Sequence, residues 1–171
     1  MFLPPPPFRF LLRHPAHLLA CGFGSGLSGF APGTFGTLFG WLTYDWLRAL
    51  LPGDPAFGLF LLAAFAVGVP ACQIAGRALG VVDHGAIVWD EIVAIWAVLL
   101  LTPPGIFWQL AAFLGFRFYD VLKPEPARYC DLRIKNGFGV MLDDVIAAGY
   151  TVFTLAAAKS LLDSLGMGLG A

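Results

Sequence analysis

The chain has 171 residues, of which 58% are hydrophobic and 12% are charged, and its formal net charge at neutral pH is −1. A typical soluble domain has about 25% charged residues, so much of this apolar surface is expected to face lipid rather than water. The near-zero net charge excludes the basic surface that nucleic-acid binding requires.

Residues 1–17 are predicted to form a separate N-terminal arm. Four consecutive prolines at 4–7 interrupt its apolar start, and Arg9 and Arg13 lie within the apolar segment rather than before it. This order differs from that of a secretory signal peptide. Polyproline followed by a basic and aromatic segment is typical of an extended arm at a membrane surface. Residues 18–171 are predicted to form a single membrane-embedded catalytic domain.

Long apolar runs separated by proline and glycine predict five main helices in this domain. The runs are too long for strands, and strand alternation is absent. The predicted helices cover residues 34–51, 56–79, 87–101, 106–122 and about 140–162. The segment 123–137 is predicted to be a polar loop. The predicted fold class is therefore all-α, an integral membrane helical bundle with roughly four membrane-embedded helices and short interfacial helices.

The basic residues are unevenly distributed along the chain. Five of the ten Lys and Arg residues lie between positions 117 and 135. Because cytoplasmic loops of membrane proteins carry an excess of Lys and Arg, this region is expected to face the cytosol.

A glycine-rich tract at 22–40 permits two interpretations. Its glycines recur at four-residue spacing, which allows close packing of helices in lipid. Alternatively, the loop SGFAPGTFGT could present backbone N–H groups and the hydroxyls of Thr34 and Thr37 to an anion. A dinucleotide-binding fold is excluded because no βαβ unit surrounds the glycines.

Two pairs of adjacent carboxylates, Asp90–Glu91 and Asp143–Asp144, interrupt apolar runs near the predicted starts of two helices. A helix dipole stabilises a negative charge there by about 0.3–1 kcal/mol. A carboxylate at bilayer depth costs about 2.5–3.5 kcal/mol, so four would cost about 10–14 kcal/mol. This cost approaches the stability of a whole domain, so the dipole alone is an insufficient explanation.

A divalent cation bound between the carboxylates would offset both their burial cost and the repulsion between adjacent charges. Mg²⁺ binds oxygen ligands and retains several waters, whereas Ca²⁺ usually needs additional carbonyl oxygens from a loop. The four carboxylates therefore predict a Mg²⁺ site. Helix capping or buried pairing of the carboxylates is the alternative interpretation.

A third group of polar residues lies at the end of the helix 106–122. Arg117, Asp120 and Lys123 are spaced three residues apart, which places them on one stripe of a helix. Arg presents a planar fork of donors that matches phosphate oxygens, and Lys adds a mobile point charge. The group predicts an anion-binding clamp, and an ordinary interfacial salt bridge is the alternative. Asp120 could orient either cation or join the metal ligands.

Four blocks of the sequence resemble those of the phosphatidylglycerophosphatase A family. The blocks are GSGLSGFAPGTFGTL at 24–38, DHGAIVWDEIV at 83–93, FRFYDVLKPEP at 116–126 and NGFGVMLDDVIAAG at 136–149. The resemblance extends over about residues 18–150. It implies a Mg²⁺-dependent, multi-pass phosphatase of the bacterial inner membrane with its active site facing the cytosol. Such an enzyme hydrolyses the terminal phosphomonoester of phosphatidylglycerophosphate, giving phosphatidylglycerol and phosphate.

The resemblance also implies roles for individual residues by their position in these blocks. The implied metal ligands are Asp83, Asp90, Glu91, Asp143 and Asp144. The implied catalytic residues are Asp90, Asp120, Asp143 and Asp144, and the implied substrate-binding residues are Arg117, Lys123, Thr34 and Thr37. The expected partners are the lipid substrate and membrane lipids, with no nucleic acid and no obligate protein partner.

Two alternatives to this activity remain at the level of the sequence. The enzyme could act on another lipid phosphate, such as phosphatidic acid. A cation channel or transporter subunit would also place carboxylates and glycines in membrane helices. The sequence leaves open which carboxylate acts as base and whether an aspartate attacks phosphorus directly.

Overall fold

Within residues 3–167, the part of the chain that the computed structural model describes, the fold consists of α-helices and short 3₁₀ segments without strands. The α-helices are α1 (Pro15–Ala20), α2 (Pro32–Leu50), α3 (Asp54–Leu79), α4 (Trp89–Leu100), α5 (Ile106–Leu122), α6 (Ala127–Arg133) and α7 (Gly137–Ser164). The 3₁₀ segments are Phe8–Arg13 and Gly22–Leu27. The first two residues of the predicted arm and the last four of the predicted domain lie outside the described residues.

The helix boundaries follow from proline and glycine. The predicted bounds of α5 are confirmed, since it begins after Gly105 and ends before Lys123 and Pro124. Helix α2 begins two residues earlier than predicted, at Pro32, because proline suits the first position of a helix. The prediction of a continuous loop over 123–137 was wrong, because this segment contains α6.

Helix α4 is the core of the bundle. It packs against α2, α3, α5 and α7, and none of its 12 residues is exposed. At 1.5 Å per residue it is about 18 Å long, well below the roughly 30 Å needed to cross the hydrocarbon layer. Helix α4 therefore supports the site from inside the bundle rather than spanning a membrane.

Glycine allows α2 to approach α4 closely. A Cβ atom on Gly36 would lie 2.6 Å from Cβ of Val88, and one on Gly40 would lie 2.5 Å from Cγ2 of Ile95. The indole of Trp96 also donates to the carbonyl oxygen of Gly40 at 2.8 Å. The packing interpretation of the glycine tract is confirmed for these two glycines.

Two of the described helices are long and apolar enough to cross a membrane. They are α3, with 26 residues and a mean hydropathy of 2.0 in its most apolar stretch, and α7, with 28 residues and 1.6. Only 28% and 22% of these stretches are buried. They differ in this respect from the buried core helices of soluble proteins, which present little apolar surface. The prediction of an all-α membrane bundle is confirmed, while the count of about four embedded helices stays a prediction.

The predicted site residues lie together at one end of the helical bundle. The indole of Trp41 in α2 donates to Oε1 of Gln109 in α5 at 2.8 Å, and Gly137 N donates to Oε1 of Gln73 at 2.8 Å. These contacts set α2 antiparallel to α5 and α7 antiparallel to α3. The N-termini of α2, α4 and α7 therefore meet the C-termini of α3 and α5 at this end, which we call the site end.

The N-terminal arm is anchored to the site end. Phe10 and Leu11 are buried, and the ring of His17 stacks on that of Phe10 with centroids 4.1 Å apart. Nδ1 of His17 also donates to the carbonyl oxygen of Phe10 at 3.1 Å. Among the described residues of the arm, only the segment 3–7 lacks helical structure as expected, since residues 8–20 are largely helical.

Candidate functional site

Three carboxylates converge at the start of α4. Asp90 and Glu91 lie in its first turn, Asp144 reaches them from α7, and one oxygen of each lies within 4.8 Å of the others. Oε2 of Glu91 and Oδ2 of Asp144 are buried and have no hydrogen-bond partner among the described residues. We call these three residues the acidic triad.

Burial disfavours the ionised forms of Asp90 and Glu91, the two triad residues that belong to α4. Removal from water, followed by the nearby Glu91 charge, raises the pKa of Asp90 well above its usual range. Burial raises the pKa of Glu91 to about 7, although Arg117 lowers it in part. Both carboxyls can therefore be ionised together only with a positive charge beside them.

The donor set of the triad fits a divalent cation. Hard cations bind carboxylate oxygens, and Mg²⁺ commonly uses one or a few protein carboxylates with water in the remaining positions. The two unpartnered oxygens of Glu91 and Asp144 are available to such an ion. Asp90, Glu91 and Asp144 could therefore hold Mg²⁺.

Asp143 lies apart from the triad. Its carboxylate forms a short ion pair with the ammonium group of Lys123. Consecutive helix residues project about 100° apart, so Asp143 and Asp144 reach different neighbours. The predicted roles of Asp143 as a metal ligand and of Lys123 as a phosphate ligand stay predictions. Lys123 follows the end of α5 and has φ of 44°, so it is not part of the helical stripe predicted for it.

Arg117, a residue of α5, contacts both the acidic triad and α2. Its Nη1 lies 2.5 Å from Oδ2 of Asp120 and 3.7 Å from Oε1 of Glu91. The same nitrogen lies 3.5 Å from Oγ1 of Thr37. Its Nε is buried without a hydrogen-bond partner in the described chain. The guanidinium is thus held in place through Nη1, while Nε remains available as a donor.

The first turn of α2 approaches the same point. Oγ1 of Thr37 donates to the carbonyl oxygen of Gly33 at 2.9 Å. A Cβ atom on Gly33 would overlap the Glu91 carboxylate and lie 3.0 Å from Nη1 of Arg117. The sequence included Gly33 in the glycine tract, as a helix-packing or anion-facing residue, but did not predict its approach to Glu91 and Arg117. Part of the glycine tract therefore packs helices and part borders the site.

A cleft of about 630 Å³ opens beside Arg117. Thr34 and Asp83 also line it, so three of the predicted site residues border the same cleft. An apolar cavity of about 520 Å³ lies between α3, α4 and α7 and is lined by no predicted site residue. The cleft beside Arg117 is therefore the candidate substrate site.

Asp83 and His84 occupy the loop before α4. Asp83 lines the cleft but is not a member of the triad, and its predicted role as a metal ligand stays a prediction. His84 is buried, and its Nδ1 accepts a hydrogen bond from Ala86 N at 3.1 Å. Burial lowers the pKa of His84, which favours the neutral imidazole.

Comparison with known proteins gives consistent matches over most of the chain. The profile of the family described as Phosphatidylglycerophosphatase A matches residues 18–159. A phosphatidylglycerophosphatase A of Haemophilus influenzae is 48% identical over 151 residues, which cover 87% of this chain and 91% of that protein. The phosphatidylglycerophosphatase A of Escherichia coli K12 is 39% identical over 140 residues, covering 81% and 80%.

A third relative carries a different name. A Bacteroides thetaiotaomicron protein, provisionally named phosphatidylinositol-3-phosphatase, is 38% identical over 149 residues, covering 83% of this chain and 92% of that protein. No solved structure matches the chain.

Proposed function

The chain belongs to the phosphatidylglycerophosphatase A family, and on that premise we propose that it is a Mg²⁺-dependent phosphoric monoester hydrolase. Its proposed substrate is phosphatidylglycerophosphate, and its products are phosphatidylglycerol and inorganic phosphate. The observation that carries this proposal is the position of Arg117, which lies at the cleft wall within 3.7 Å of the acidic triad.

Arg117 is the proposed phosphate-binding residue. A phosphomonoester is doubly charged near neutral pH, and a guanidinium binds two of its oxygens in a planar fork. Asp120 fixes the guanidinium from one side, and Nε remains available as a donor. Thr34 lines the same cleft and supplies a hydroxyl donor.

The acidic triad is the proposed metal site. When bound there, Mg²⁺ would polarise the phosphoryl oxygens and lower the pKa of a bound water. Asp90, Glu91 and Asp144 would hold the ion through the carboxylate oxygens that converge between α4 and α7.

The protein must also accept a proton from the attacking water. The candidate bases are Asp90, Asp143 and Asp144. Asp143 is paired with Lys123, so we assign this role to Asp90 or Asp144. The departing lipid oxygen takes up a proton as the P–O bond breaks, which yields the free hydroxyl of phosphatidylglycerol. Direct attack by an aspartate would instead leave an acyl phosphate on the protein, and trapping with rapid quenching distinguishes the two routes.

We propose that the site end faces the cytosol in the bacterial inner membrane. Of the ten Lys and Arg residues, only Arg48 and Lys159 lie toward the opposite end of the bundle. The eight at the site end form the excess of positive charge that marks cytoplasmic segments.

A second candidate substrate is another lipid phosphate, and one comparison favours it specifically. The Bacteroides relative is named for a phosphoinositide rather than for phosphatidylglycerophosphate. The two names differ in the lipid headgroup, whereas a phosphomonoester is common to both. The channel or transporter alternative has no support in the family assignment.

Phosphate release by the purified protein in detergent micelles tests this function. We expect release from phosphatidylglycerophosphate with Mg²⁺ and none with a chelator, while phosphatidic acid and phosphatidylinositol 3-phosphate serve as competing substrates. Asp144→Asn should abolish release. Asp163→Asn is the matched control, because Asp163 is paired with Lys159 at the opposite end of the bundle. Release that is unaffected by chelation would overturn the metal dependence, and faster release from a competing lipid would overturn the substrate.

A further inference from the structure

We propose that the extended arm, residues 3–7, forms one wall of the substrate cleft and positions the lipid bound there. The inference rests on the proposed function, since it concerns how that site holds its substrate. The observation that supports this proposal is the position of the arm relative to Arg117.

The arm and the predicted phosphate ligand share one cleft. Leu3 and Pro5 line the same 630 Å³ space as Arg117, Asp83 and Thr34. The arm therefore encloses part of the volume that any ligand of Arg117 must enter.

The arm is held in this position by its own sequence. Phe10 and Leu11 are buried and fix its C-terminal end. Residues Pro4–Pro7 then run past the end of α3, where they enclose a second cavity of about 420 Å³ with Ala78 and Leu79. Consecutive prolines form a stiff helix that advances about 3.1 Å per residue, so little conformational entropy is lost when Leu3 is held at the cleft.

The chemistry of the cleft fits the junction of a lipid. Arg117 contributes positive charge to its lining, and Leu3, Pro5 and Phe30 contribute apolar surface. A phosphomonoester at Arg117 would place the glycerol and the first methylene groups of the lipid against the arm. The arm should thus contribute to binding of the lipid rather than to cleavage of the P–O bond.

The arm also lies outside the region that defines the family, since the family profile begins at residue 18. The carboxylates and Arg117 all lie within the matched region. A wall built from residues 3–7 would accordingly modify how this chain binds its substrate, while the catalytic residues remain those of the family.

A deletion separates binding from catalysis. Removal of residues 3–7 should raise KM for phosphatidylglycerophosphate about threefold to tenfold, because two apolar contacts between the arm and the lipid are lost. The same deletion should leave kcat within about a factor of two, since the arm does not contact the reacting phosphate. Phe8→Ala is the matched control, because Phe8 directly follows residues 3–7, is 63% exposed and lines neither cavity. A merely structural role of the arm would instead lower kcat and the thermal midpoint together.

Selective labelling provides a readout that does not depend on turnover. The native cysteines Cys21, Cys72 and Cys130 are buried, so a water-soluble maleimide should react mainly with an introduced thiol. Phosphatidylglycerophosphate in micelles, with a chelator to stop turnover, should slow the labelling of Leu3→Cys severalfold. Labelling of Phe8→Cys should be unchanged.

The outcomes distinguish failure of the arm proposal from failure of the proposed function. Hydrolysis of phosphatidylglycerophosphate without protection of Leu3→Cys overturns the arm as a wall. Protection by phosphatidic acid or phosphatidylinositol 3-phosphate, but not by phosphatidylglycerophosphate, supports the wall and overturns the proposed substrate. Absence of protection by all three lipids, or equal protection by unphosphorylated phosphatidylglycerol, overturns the arm proposal.

Discussion

Arg117 and Asp120 form a 2.5 Å ion pair across one turn at the end of α5. The pair fixes the guanidinium before a substrate arrives, and Oε1 of Glu91 lies 3.7 Å from the same nitrogen, Nη1. Preorganised charge of this kind contributes to catalysis because it needs no rearrangement during the reaction.

We expect Arg117→Lys to lower kcat/KM by about 100-fold, because an ammonium group lacks the planar fork of donors that can hold two phosphate oxygens while Asp120 fixes the group in place. Steady-state phosphate release measures the effect. Arg48→Lys is the matched control, since Arg48 is paired with Asp54 at 2.8 Å at the opposite end of the bundle. Equal activity of Arg117→Lys and wild type would remove Arg117 from phosphate binding.

Asp144→Asn should have opposite effects on stability and on metal binding. Without a divalent cation, we expect the free energy of unfolding to rise by roughly 1–3 kcal/mol, because the variant removes a buried unpaired charge. With Mg²⁺, wild type should be stabilised and the variant should not. Thermal unfolding in detergent with and without Mg²⁺ measures both effects, and Asp163→Asn should behave as wild type. Mg²⁺ stabilisation that persists in Asp144→Asn would contradict the triad as the metal site.

Gly33→Ala should lower activity about tenfold to 100-fold, because small misplacements of catalytic groups are costly. The added methyl group would displace the Glu91 carboxylate and crowd Arg117. Gly58→Ala is the control, since a Cβ atom on Gly58 meets nothing within 4 Å. Both variants should remain folded, because alanine favours the helix over glycine. Full activity of Gly33→Ala would show that the first turn of α2 can move away from the site.

Lys123 and Asp143 should behave as a coupled pair. We expect Lys123→Gln and Asp143→Asn each to destabilise the protein, and the double variant to lose less than the sum by about 0.5–3 kcal/mol. Denaturant unfolding of the four proteins gives this coupling energy. Additive losses, together with a rise in KM for Lys123→Gln alone, would instead favour Lys123 as a phosphate ligand.

The sequence predicted elements whose determinants are local. The bounds of α5 follow from Gly105 and Pro124, and the three-residue spacing of Arg117 and Asp120 places them on one helical face. Both features depend only on backbone geometry within a few residues, so no knowledge of the fold was needed.

Features that depend on the packing of distant segments were not predictable. The sequence grouped Asp143 with Asp144, yet helical geometry turns Asp143 toward Lys123. The approach of Gly33 to Glu91 joins the starts of two helices, and the stacking of His17 on Phe10 anchors the arm. Each requires the relative placement of elements, which local patterns do not encode.

The enclosure of α4 has a consequence for how the family diverges. Most of the apolar stretches of α3 and α7 are not buried within the protein, so many apolar side chains of different shape would serve equally well on their outer faces. Helix α4 instead packs against α2, α3, α5 and α7 and has no exposed residue, so a change of one methylene group in its packed side chains must be matched by a neighbour. Among related chains, α4 should therefore accumulate substitutions slowly and in compensating pairs, while the outer faces of α3 and α7 drift freely.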